Sequence, residues 1–174
     1  LPPDVPEDFY ARMIELLHLR GAQVYLDASG KALLLGGQAG PYLVKPNLFE
    51  ASQAVGFEIE DLEDAKRAAL SFLRMGVDCF ALTMGASGLL LASQYEMAFA
   101  AAPKIHARNT AGSGDALMAG MIYAQMRGMD LVEVARWGVA TGSASVETEG
   151  VSEFDVERVQ GLLGEIDARI VNVL

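Results

Sequence analysis

The chain has 174 residues, a formal net charge of −10 and 52% hydrophobic residues, a length and composition that suit one globular domain with a real core. The acidic balance argues against nucleic acid or an anionic membrane as the main partner, and no apolar run approaches the length of a membrane span. The single cysteine, Cys79, excludes an internal disulfide framework and fits a cytoplasmic location.

The opening, LPPDVP, is neither an initiator methionine nor a signal peptide and reads as the interior of something longer. Pro6, Glu7 and Asp8 favour a helix start. Phe9, Met13, Leu16 and Leu17 then supply one apolar face, and Gly21 supplies a stop. A strand is expected over 22–27, a short helix or turn over 29–37, a short strand over 41–47 ended by Pro46, and a short helix over 47–56. Asp61 to Met75 reads as a stronger helix with Leu62, Ala65, Ala69 and Leu73 on one face, and 77–84 as a buried strand. Alternating helices and strands imply a parallel sheet covered by helices. Short strands at 88–93, 95–101 and 104–108 then suggest an antiparallel or mixed edge. Helices follow at 112–128, about 130–146 and 155–171, with Gly128 and Gly150 as stops. Trp137 and the methionines Met118, Met121 and Met126 read as core.

The most informative stretch is NTAGSGDALMAG, Asn109 to Gly120. A helix N-terminus exposes unpaired N–H groups and carries partial positive charge. Glycines directly before it let the backbone approach a ligand, which together makes an anion cradle. Asp115 would repel a phosphate there unless it has a task. The natural one is to take a proton from a hydroxyl while the cradle holds charge on a transferring group. A plain glycine turn leading into a core helix, with Asp115 favouring the helix dipole, is the alternative. No G-x-x-x-x-G-K-[ST] occurs, and the G-x-G-x-x-G begun by Gly112 and Gly114 breaks at Leu117. There is no G-x-S-x-G elbow around Ser87 or Ser113, and no cysteine–histidine cluster for zinc.

Thr110-Ala111-Gly112-Ser113-Gly114-Asp115, followed by a small-residue helix, resembles the second signature of the PfkB family of ribokinase-like carbohydrate kinases. Further segments resemble that family in the same order, closest to its phosphofructokinase and tagatose-6-phosphate kinase branch: LPP at the start, LDASGKAL (26–33), LVKPNLFE (43–50), LTMGASGLLL (82–91) and WGVATGSAS (137–145). The resemblance covers essentially the whole chain but only the C-terminal half or so of a full family member. It implies a three-layer α/β/α sandwich, mostly parallel with antiparallel edge strands, as a single domain over 1–174 lacking the N-terminal part and its lid.

By the same resemblance Asp115 is the catalytic base, and the backbone amides of Ala111, Gly112, Ser113 and Gly114 are the anion hole. Asn47 and Glu50 organise Mg²⁺ through water. Their i, i+3 spacing puts both at one helix start and suits a hard hydrated cation, although the motif standing by itself is more often a simple helix cap. Lys45 reaches the ATP phosphates, Thr83, Gly85 and Gly88 border the nucleotide, and Gly142 and Ser143 line the adenine pocket. The cofactors implied are ATP and Mg²⁺, with room for a monovalent cation. The implied activity is ATP-dependent phosphorylation of a phosphorylated ketohexose: fructose 1-phosphate, fructose 6-phosphate or tagatose 6-phosphate. A kinase of another sugar or nucleoside, or a nucleotide-binding fragment without turnover, are the alternatives. A homodimer is an open expectation. Three positions depart from the family pattern. Asp4 replaces the usual glycine after LPP, and Asn109 stands where many sugar kinases carry aspartate. Glu147 and Glu149 make the late segment unusually acidic where a monovalent cation would bind.

Overall fold

A computed structural model describes residues 1–2 and 4–173, so Pro3 of the LPP stretch lies outside the described residues. The elements alternate as the sequence implies: α1 (Phe9–His18), β1 (Tyr25–Leu26), α2 (Gly30–Gln38), β2 (Leu43–Val44), α3 (Leu48–Val55), α4 (Leu62–Arg74) and β3 (Cys79–Thr83). A 3₁₀ turn (Gly85–Ser87) leads to β4 (Leu89–Ser93) and β5 (Met97–Ala100), then to α5 (Ser113–Met126), α6 (Leu131–Val146), α7 (Val156–Leu163) and β6 (Ala168–Val171). The strands form a mixed six-stranded sheet whose order follows the chain, β1 to β6. Among the described residues no helix is long and apolar enough to cross a membrane.

The chain resolves into two compact units. The first holds residues 1–83, 92–95 and 173–174, and the second 84–91 and 96–172. In the first, β1, β2 and β3 pair in parallel, with Tyr25 opposite Leu43 and Leu43 opposite Cys79. Its core gathers Leu33, Val44, Ala65, Ala69, Phe72 and Phe80, all at 0% exposure, and the Phe72 and Phe80 rings stack at 4.7 Å. Each large side chain so buried contributes about 1.5–3 kcal/mol. The strong α4 helix is real: Asp61 caps it by accepting from the Asp64 N–H at 2.9 Å. For α1 the structure differs. The buried residue is Ile14, while Phe9, Met13, Leu16 and Leu17 are 36–59% exposed. The reason lies on α2, where Gly36 has no side chain and its Cβ position lies 3.6–3.7 Å from Tyr10 and Ile14.

In the second unit β5 and β6 run antiparallel, Met97 opposite Val171 and Ala100 opposite Ala168. The antiparallel edge therefore exists, but its strand is not the one expected. Residues 104–108 are irregular. They follow Pro103, which donates nothing, and Arg108 N–H bonds instead to the carbonyl of Val146 at 2.7 Å. The helix expected over 155–171 stops at Leu163, and Gly164 is its C-cap. The β-branched pair Ile170-Val171 then belongs to β6. Helices α5 and α6 approach closely because Gly120, Gly138 and Gly142 face the partner helix: a Cβ on Gly120 would lie 2.6 Å from the Trp137 carbonyl oxygen. Met121 is fully buried as expected, but Met126 is 83% exposed at the end of α5. Gly128 ends that helix with φ +70, whereas α6 has already ended at Val146, before Gly150.

Candidate functional site

The glycine turn opens α5 with Gly112 as N-cap in the left-handed region, φ +76. No side chain caps this helix, so its first donors are left to the backbone or to a ligand. Two of the four expected amides are engaged within the chain. Ala111 N–H donates to Asn109 Oδ1 at 3.0 Å, and Ser113 N–H to the Thr110 carbonyl at 3.3 Å. The next amide in use belongs to Ala116, which bonds to the Gly112 carbonyl at 3.0 Å. Among the described residues the N–H groups of Gly112, Gly114 and Asp115 have no acceptor. The donor set thus shifts along the turn from the one the sequence suggested. Asn109 draws Ala111 away by closing a tight side-chain turn, and Asp115 contributes its own amide.

Asp115 is exposed, and its carboxylate has no hydrogen-bond or ion-pair partner among the described residues. A carboxylate without a partner beside unpaired donors at the positive end of a 14-residue helix is free to accept a proton while those donors meet an anion.

Two further residues, not singled out as carrying chemistry by the sequence, brace this turn. Asn109 Nδ2 donates to the carbonyls of Glu149 and Gly150 at 3.0 and 3.4 Å, and Ser152 Oγ donates to the Gly112 carbonyl at 3.1 Å. The sequence flags Asn109 only as a departure from the family pattern, and Ser152, a serine outside any periodic segment, not at all; the fold gives both their bracing role. Gly142 and Ser143 sit inside α6 and are buried, and a Cβ on Gly142 would lie 3.1 Å from Leu117 Cβ and 3.3 Å from the Ser113 carbonyl oxygen. Close helix packing is thus a sufficient reason for glycine there. Gly85 and Gly88 shape the turn between β3 and β4. Both have positive φ, Met84 N–H closes on the Gly88 carbonyl at 2.9 Å, and a Cβ on Gly88 would strike the Ala100 carbonyl oxygen at 2.0 Å.

The first unit carries the remaining candidates. Lys45, only 5% exposed, leaves β2 and ion-pairs through Nζ with Asp27 Oδ2 at 2.8 Å. Asp27, at the end of β1, enters the site only through this pair; the sequence placed it in a motif without giving it a role. Asn47 and Glu50 form a reciprocal capping box on α3. Asn47 Oδ1 accepts from Glu50 N–H, and Glu50 Oε2 accepts from Asn47 N–H, both at 2.9 Å. The cap reading of this pair is therefore correct as structure. Thr83 N–H donates to the Pro46 carbonyl at 3.1 Å, and Thr83 bridges Asn47 in parallel register, which seats the end of β3 beside the start of α3.

Among the described residues no group of three or more His, Cys, Asp or Glu could hold a metal. Glu50 has one oxygen committed to the cap. A single carboxylate of this kind fits Mg²⁺ kept by its own waters and by substrate phosphates, and does not fit a metal caged by protein.

The description "pfkB family carbohydrate kinase" matches residues 1–158. The 1-phosphofructokinase of Rhodobacter capsulatus is 39% identical over 140 residues, covering 80% of this chain and 44% of that protein. The structure of Escherichia coli phosphofructokinase-2 in complex with potassium matches with a TM-score of 0.88 at 27% identity, covering 95% of this chain and 54% of that one. Arabidopsis thaliana ribokinase complexed with ribose and ATP shares the fold, with a TM-score of 0.80 at 23% identity over 92% of this chain and 54% of that one. The chain spans about half the length of the curated relatives it matches. Its α/β fold is ribokinase-like, and the chain belongs to the pfkB family of carbohydrate kinases.

Proposed function

We propose that this chain carries the ATP-handling and proton-accepting part of a phosphosugar kinase, with fructose 1-phosphate as the first candidate acceptor. The observation that carries the reading is the pairing of the N–H groups of Gly112, Gly114 and Asp115 with the Asp115 carboxylate, all of them without a partner among the described residues. Its relatives support the acceptor: four of them, 29–39% identical, are 1-phosphofructokinases.

In the proposed reaction a sugar hydroxyl oxygen attacks the γ-phosphorus of ATP. The bond from that phosphorus to the β,γ-bridging oxygen breaks, and ADP leaves. Asp115 accepts the hydroxyl proton. The transition state is loose, so a modestly basic carboxylate suffices late in the transfer. The amides of the glycine turn stabilise charge on the transferring group without reorganising. Lys45, held by Asp27, offers positive charge to nucleotide phosphates. Thr83, Gly85 and Gly88 border the nucleotide, and Gly142 and Ser143 border its base. Asn47 and Glu50 would hold the waters of a bound Mg²⁺, and the ion would supply charge neutralisation at the phosphates.

Replacing Asp115 by Asn tests the assignment. Turnover falls by several orders of magnitude, about 10³-fold or more, while ATP affinity measured by calorimetry stays within a few-fold. Retained turnover in that variant removes the role. The second reading is nucleotide binding without transfer. A parent chain that binds ATP, yet phosphorylates none of fructose 1-phosphate, fructose 6-phosphate or tagatose 6-phosphate in a coupled assay, establishes that reading instead.

A further inference from the structure

The segment after α6 does more than connect two helices. Its base is pinned by Glu147, whose two carboxylate oxygens receive Arg158 Nε and Nη2 at 2.6 and 3.1 Å. Thr148 Oγ1 lies 2.9 Å from the Ser145 carbonyl oxygen and 3.1 Å from that of Glu153, which folds the segment on itself. Arg108 adds an ion pair to Glu149 at 3.6 Å. From this anchored segment two groups reach the glycine turn. The carbonyls of Glu149 and Gly150 receive the Asn109 amide, and Ser152 Oγ donates to the Gly112 carbonyl.

The contacts are directional. Asn109 uses both ends of its amide: Oδ1 accepts from Ala111 N–H while Nδ2 donates to the two carbonyls. Aspartate in its place keeps the first bond but sets an anion against two carbonyl oxygens. Ser152 sits in the left-handed region at φ +56, a conformation that a non-glycine residue holds only when its surroundings impose it. Behind Gly112 there is no slack, since a Cβ there would lie 2.1 Å from Ser152 Oγ and 2.9 Å from Ser152 N.

We infer that residues 147–152 act as a strap that fixes the glycine turn through Asn109 and Ser152, making these two the positioning residues for the free N–H groups of Gly112, Gly114 and Asp115. Glu147 is the anchor that holds the strap to α7, and Glu149 lends its backbone carbonyl. The catalytic consequence rests on the kinase reading above, whereas the bracing does not.

The test uses Asn109→Asp, Asn109→Ser and Ser152→Ala in this chain. Serine at 109 can still accept from Ala111 N–H but cannot span to 149 and 150, so it separates the local turn from the strap. Backbone ¹⁵N relaxation is the first readout. In the parent, Gly112 and Gly114 are as rigid as the interior of α5. In all three variants their heteronuclear NOE drops by a third or more while Leu117 to Met121 stay unchanged. Unchanged values at Gly112 and Gly114 in Asn109→Ser and Ser152→Ala overturn the proposal even if Asn109→Asp fails to fold. The second readout is kinetic. The variants lose about 10-fold or more in kcat while KM for ATP and for the acceptor stays within about twofold, the signature of donors mispositioned only for the transition state. An equal rise in KM with kcat unchanged contradicts a positioning role. A parent with no turnover sinks the kinase reading alone, and the relaxation data then decide the strap by themselves.

Discussion

Replacing Gly112 by alanine isolates what the glycine turn requires. Its φ of +76 puts an L-residue in the left-handed region, which costs about 1–2 kcal/mol. The added Cβ would lie 2.1 Å from Ser152 Oγ, 2.9 Å from Ser152 N and 2.9 Å from Val151 Cγ1. The hydroxyl can rotate away, at the loss of its bond to the Gly112 carbonyl, about 1 kcal/mol. The backbone nitrogen cannot, so the strap must shift, and overpacking of this kind costs about 1–3 kcal/mol. Alanine returns about 0.5–1 kcal/mol by restricting the unfolded chain. The balance is a loss of about 2–5 kcal/mol, or about 4–20 °C in Tm for a chain of this size. Gly128→Ala is the internal control: its φ is +70, but nothing lies within 4 Å of its Cβ position, so it loses only the conformational part, about 1 kcal/mol. Urea unfolding followed by the fluorescence of the single tryptophan, Trp137, measures both. Equal losses in the two variants, or a Gly112→Ala protein within about 0.5 kcal/mol of the parent, refute the claim that the strap packs against the turn.

Gly120→Ala should destabilise despite the gain of about 1 kcal/mol in helix propensity, because its Cβ would meet the Trp137 carbonyl oxygen at 2.6 Å and Thr141 Oγ1 at 2.1 Å; a raised urea midpoint would contradict the close approach of α5 and α6. Asn47→Ala removes the capping box and should lower stability by about 1 kcal/mol, whereas Glu50→Gln keeps an acceptor for the Asn47 N–H and should leave the urea midpoint nearly unchanged. If Glu50 also orients waters of Mg²⁺, Glu50→Gln raises the Mg²⁺ concentration needed for half-maximal turnover; an unchanged requirement leaves it a cap alone. Burial pushes both the Tyr42 phenol and the Cys79 thiol above their ordinary values. The folded state therefore holds protons that the unfolded chain releases above about pH 9–10. The stability this contributes is fully present below that range and is lost as pH rises through it. The urea midpoint should fall from pH 9 to 11, less steeply in Tyr42→Phe, and a midpoint flat across that range would count against the buried pair.

Much of the chain was legible residue by residue. The three-residue reach of a capping side chain marks Asn47 with Glu50, the 3.6-residue period marks α4, and the glycine cluster before Asp115 marks a helix start with unusual access. Each is a local property, decided within one turn of backbone. What failed was decided at longer range. The apolar face of α1 was misjudged because a helix buries the side that its neighbour receives, here Ile14 and Tyr10 against Gly36. Residues 168–171 were read as helix because four residues carry too little periodicity to outweigh their context, and pairing with β5 makes them a strand. The site divides in the same way. The sequence alone names the turn and its carboxylate. How the turn is held depended on Asn109 reaching 40 residues along the chain to Glu149, and on Ser152 reaching back to Gly112. Hydrogen bonds between residues that far apart leave no spacing to read, because it is the packing of helices, not the order of residues, that brings the partners within 3 Å.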